Sequence, residues 1–100
     1  MNENPAVKSL VELIERRYGL KILSSHYILV DDKFKQYNTM LEVELPEPML
    51  RRFKELYSSK TSAMHVAWSV NDKDIIKFYA TIGNNILLLL DTLLPGKKKG

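Results

Sequence analysis

The stretch Ile86-Leu87-Leu88-Leu89-Leu90 places the strongest constraint on the fold of this chain, and Leu93, Leu94 and Pro95 close it. Five apolar side chains in a row match neither the 3.6-residue period of an amphipathic helix nor the two-residue period of a half-buried strand. Both sides of the element therefore leave water. Burying five such side chains is worth on the order of 10 kcal/mol. A chain of 100 residues has little interior for an element that is apolar all round. The run points to a central buried element, or to a surface covered by a second molecule. On this ground self-association is expected, with Trp68, Ile86, Leu87, Leu88, Leu89 and Leu90 as the candidate interface. Leu88→Asp is expected to be severely damaging, because it sets an unpaired charge in such an element.

The length fits one domain, expected over 1–96, with a basic disordered tail at 97–100. No apolar stretch approaches the roughly 20 residues of a membrane span. Met1-Asn2-Glu3-Asn4-Pro5 lacks the charge and apolar core of a signal peptide. Cysteine is absent, which excludes a disulfide framework and thiolate chemistry. The expected compartment is the cytoplasm, with no membrane partner. The net charge of +3 suggests nucleic acid until it is located. Of the 15 Lys and Arg, three are Lys97, Lys98 and Lys99; the remaining 12 equal the 12 Asp and Glu. A neutral body weighs against a large phosphate-binding surface.

Asn4-Pro5 is a helix start, an N-cap residue followed by proline at the first helical position. Val7, Leu10, Val11, Ile14 and Tyr18 recur at helical spacing, and Gly19 ends a helix over 5–18. Residues 20–30 are rich in β-formers, and Asp31-Asp32-Lys33 follows as a turn. Tyr37, Thr39, Leu41, Val43 and Leu45 then alternate with polar neighbours, which predicts a half-exposed strand and a first hairpin. Pro46-Glu47-Pro48 opens a second helix with an apolar stripe of Met49, Leu50, Phe53, Leu56 and Tyr57. A second hairpin is predicted from Met64, Val66, Trp68 and Val70, the turn Asn71-Asp72-Lys73-Asp74, and Ile76, Phe78, Ala80 and Ile82. Gly83-Asn84-Asn85 reads either as a tight hairpin turn or as a helix cap. Residues 86–94 are thus a strand or a helix, with the strand slightly preferred. The fold class is α+β: an antiparallel sheet of four or five strands with two helices mainly on one face, in the order α-β-β-α-β-β-(β or α).

Candidate chemistry is sparse. His26 and His65 stand alone in the sequence and would face each other only if the two hairpins paired; zinc needs three or four ligands. Asp31-Asp32 and Asp72-Asp74 are turn residues for local hydrogen-bonding reasons. Tyr27, Tyr37, Tyr79 and Trp68 could stack bases, but the basic partners of such a strand motif are missing. No glycine-rich phosphate loop and no nucleophile–base spacing is present. No catalytic residue, metal or cofactor is therefore assigned, and the chain is expected not to be an enzyme. The leading expectation is a small assembly or accessory-subunit protein whose partner is itself or a larger protein complex. The alternative is a nucleic-acid-binding accessory protein using Arg51, Arg52 and Lys54 on the second helix and Lys97, Lys98 and Lys99 in the tail.

Overall fold

A computed structural model describes residues 4–27 and 38–94. They form three helices and five strands, in the order α1 (Pro5–Tyr18), β1 (Lys21–Tyr27), β2 (Thr39–Glu44), α2 (Glu47–Tyr57), β3 (Ser62–Ala63), β4 (Val66–Val70), β5 (Ile76–Ala80) and α3 (Asn85–Asp91). The strands make one antiparallel sheet in the order β1-β2-β5-β4-β3. The α+β class is as the sequence predicts. The expected turn at 31–36, Tyr37 and the lysine tail lie outside the described residues.

Local chemistry accounts for the first helix. The Asn4 carboxamide oxygen accepts from the backbone N–H of Ala6 at 2.8 Å and of Val7 at 3.3 Å, so two unpaired donors of the first turn are satisfied. Gly19 ends it at φ 66°, and its N–H donates to the Glu15 carbonyl. Val7, Leu10 and Ile14 form the buried stripe. In the sheet, Leu41 and Val43 of β2 and Ile76, Phe78 and Ala80 of β5 are fully buried. They lie side by side on one face, since Leu41 pairs with Phe78 and Val43 with Ile76. On the opposite face Met40, Glu42, Lys77 and Tyr79 keep contact with solvent, and no described helix covers them.

All three helices occupy the apolar face, and α3 lies between the other two. Tyr18 of α1 donates its phenolic proton to the Asp91 carboxylate at 2.6 Å, with the Leu87 carbonyl 3.3 Å away. Partial burial first, and that bond second, hold the Tyr18 phenol above its ordinary pKa. On the other side the Tyr57 hydroxyl lies 2.7 Å from Thr92 Oγ1. The single proton of Thr92 goes to the Leu89 carbonyl at 2.6 Å, so Tyr57 is the donor of the pair.

The final element is a helix, which corrects the preference for a strand. β5 already has β2 on one side and β4 on the other. A strand following a tight turn at 83–85 would find no vacant edge beside β5, so the chain folds back across the apolar face. Ile86, Leu89, Leu90 and Leu93 are fully buried, at the i, i+3, i+4, i+7 spacing of one helical stripe. Asn84 caps α3 without a side-chain bond. The ends are instead tightened by i to i+3 bonds, such as Ile86 N–H to the Gly83 carbonyl and Leu93 N–H to the Leu90 carbonyl.

Two further expectations are corrected. Ile82 does not continue the β5 stripe; it has left the sheet and is 61% exposed. The strand predicted from Met64 is broken by a two-residue hairpin turn. Met64 and His65 both have positive φ, 56° and 61°, between the paired residues Ala63 and Val66. Such turns favour Asn-Gly, because a side chain in the left-handed region is strained.

Leu88 is 54% exposed on the outer side of α3, so it is not the vulnerable position that the unbroken run implies. Leu89→Asp buries an unpaired carboxylate and is expected to cost several kcal/mol. Leu88→Asp is expected to stay within about 0.5 kcal/mol of the parent. Thermal melting of both variants checks this; a larger loss for Leu88→Asp than for Leu89→Asp would mean that the helix faces the other way. His65 is exposed, so His65→Gly removes backbone strain without removing packing. It is expected to stabilise by about 1 kcal/mol, roughly 4–8 °C in Tm. An unchanged or lower Tm would show that the turn is not strained as described.

Candidate interaction groove

The second helix places an aromatic wall over the end of the sheet. Met49, Phe53 and Tyr57 recur every fourth residue and are buried. The Phe53 ring meets Trp68 edge-on at 5.2 Å and Phe78 at 6.0 Å, and Tyr57 lies 5.3 Å from Trp68. Phe78 and Trp68 are directly paired across β5 and β4. The four rings form one cluster on the helix-covered face. Trp68, at its outer limit, is only half-buried.

Beyond Trp68 the sheet stops. β3 is two residues long and pairs only Ser62 with Ala67 and Ala63 with Val66. Antiparallel strands direct the N–H and C=O of alternate residues to alternate sides. The Asn71 N–H donates to the Ile75 carbonyl across the β4–β5 loop. By alternation Ser69 and Ala67 also face β5, whereas Val66, Trp68 and Val70 face away from it. Val66 meets β3. The main-chain groups of Trp68 face the chain at Thr61, where β3 begins, and those of Val70 point to an edge that no other described strand covers. Open edges of this kind are templates for pairing with another chain.

Between this edge and α2 runs a groove of about 470 Å3. Leu50, Phe53 and Tyr57 form its helix side, Trp68 and Val70 its strand side, and Ser58 and Thr61 its end. Val70 is 44% exposed, a high value for a β-branched apolar side chain in a strand. Lys54 and Lys60 are the charged residues of the lining. Lys54 Nζ lies 3.2 Å from the Asp74 carboxylate in an exposed ion pair.

The structure distributes the sequence-derived candidates widely. Of the apolar run, Ile86, Leu89 and Leu90 are buried within the chain itself, Leu87 is half-buried and Leu88 is exposed. The run makes no demand for a second molecule. Trp68 lines the groove beside α2. The basic residues of α2 each have a partner inside the chain. Arg51 approaches Glu47 at 3.4 Å, Arg52 Nε donates to the Thr92 carbonyl at 3.3 Å, and Lys54 meets Asp74. Lys97, Lys98 and Lys99, with Asp31 and Asp32, lie outside the described residues.

His26 is in β1 and His65 in the turn after β3, at opposite edges of the sheet. Four strand spacings, about 19 Å, separate those edges, so the histidines do not meet. No group of three metal-ligating side chains occurs among the described residues. Trp68 and Tyr79 lie on opposite faces of the sheet, which rules out a shared stacking platform between them. Leu50, Phe53 and Tyr57 were not singled out by sequence as a site. Their stripes identify them as apolar faces, but only the sheet order shows that this end of the stripe has no neighbour.

No helix among the described residues is long and apolar enough to cross a membrane. Compared with family models, with curated proteins and with solved structures, the chain matches none.

Proposed function

We propose that this protein is a small non-catalytic interaction module that holds a partner protein along the groove between α2 and β4. The observation that carries the reading is the combination of an apolar groove with an uncovered strand edge on the same side of the molecule. A chain that hides its leucine run inside still leaves Val70 and the rim of Trp68 accessible. Apolar walls give affinity to side chains, and an open edge gives direction and register to a main chain. Among the described residues the other exposed large apolar side chains are Leu23 in β1, Ile82 after β5 and Leu88 in α3, each on a different segment, which is normal for a protein surface.

Selection from a random-peptide display library against the intact protein tests the reading. Selected peptides are expected to lose about tenfold or more in affinity for Val70→Asp, a loss of roughly 1.4 kcal/mol, and to bind Ile82→Asp like the parent. Both positions are exposed, so neither substitution is expected to unfold the chain. Peptides that bind the two variants equally would place the interaction surface elsewhere.

A further inference from the structure

We infer that the groove takes an extended acidic segment of another protein, added as a strand along the open edge of β4. This deepens the interaction-module reading and rests on it. The outward main-chain groups of Val70, at the open end of β4, can pair in register with another backbone in extended form, whereas a helix has its own donors and acceptors already paired. Side chains of an added strand alternate between the two faces of the sheet. Every second residue of the incoming segment then enters the space between Tyr57, Phe53 and Val70. That side of the segment is apolar.

Charge decides among the possible occupants. The groove lining carries Lys54 and Lys60 and no carboxylate. The Lys54–Asp74 pair is exposed, so it is weak and readily replaced by an incoming carboxylate. A second copy docked edge to edge would bring its own Lys54 and Lys60 to the same place. The C-terminal residues of the chain carry Lys97, Lys98 and Lys99, which have the same sign as the groove. An acidic segment from a different protein is complementary where these are not. The uncovered edge is short, so the complex belongs to the transient class, with a Kd of about micromolar order.

Trp68 is the only tryptophan of the sequence and lines the groove, so its emission reports occupancy directly. The probe is an octapeptide alternating Val and Glu, titrated into the intact protein. Its counterparts are a Val/Lys octapeptide, an oligothymidylate of eight nucleotides, and two Val/Glu peptides N-methylated at one or the other alternate set of amides. The Val/Glu peptide is expected to shift Trp68 emission. Affinity is expected to fall roughly tenfold when Lys54→Glu and Lys60→Glu are combined, and to fall with added salt. One set of N-methyl groups is expected to abolish binding and the other to be tolerated, because only one set of amides faces β4.

No shift with the Val/Glu peptide, equal binding of the Val/Lys peptide or the oligonucleotide, or equal behaviour of the two N-methylated peptides would overturn the inference. A dimer in light scattering that dissociates on Val70→Asp would assign the edge to a second copy and overturn it too. Library peptides that depend on Val70 but are neither acidic nor sensitive to one set of N-methyl groups would leave the interaction module standing and remove its acidic-strand partner.

Discussion

The fold depends on the packing of one short helix. α3 is apolar on nearly every side because it has a neighbour on nearly every side: the sheet beneath, α1 across the Tyr18–Asp91 bond and α2 across the Tyr57–Thr92 bond. Ile86, Leu89, Leu90 and Leu93 together contribute on the order of 8 kcal/mol of burial, an upper figure for an extended unfolded chain. That is comparable to the whole net stability of a small domain. A seven-residue helix is too short to persist alone in water, so its helicity is a consequence of this packing.

The same topology creates the groove. With β5 enclosed by β2 and β4, the last stretch of chain cannot extend the sheet and must lie on its face. The chain leaving α2 joins the sheet only at Ser62, so β3 pairs with Val66 and Ala67 and the outer side of β4 is left open at Val70. α2 then stands beside this edge at a distance set by the Phe53–Trp68 ring contact. A short β3 therefore leaves room for another strand at the Val70 end of β4.

Much of this was legible in the residues. The limits of α1 follow from Asn4-Pro5 and Gly19, and the buried face of β2 follows from the alternation of Thr39, Leu41 and Val43. These are local signals, decided within one turn or one hairpin. The nature of α3 was not local. Its helical stripe is present at Ile86, Leu89, Leu90 and Leu93, but Leu87 and Leu88 fill the gaps and erase the period. Only the β2–β5 pairing, which joins residues far apart in sequence, excludes the strand. The turn at Met64 and His65 was hidden for the opposite reason, since neither residue type signals positive φ. The groove was hidden because an apolar stripe reveals which residues avoid water and not where the sheet ends.

Native-state hydrogen exchange tests the central claim, that α3 is integral to the core rather than docked upon it. The account predicts that the amides of Leu89 and Leu90 exchange with the same free energy as that of Phe78 in β5, through global unfolding alone. Exchange of the α3 amides through a lower-energy opening that leaves β5 protected would contradict it, and would make the helix an accessory to a sheet that stands without it.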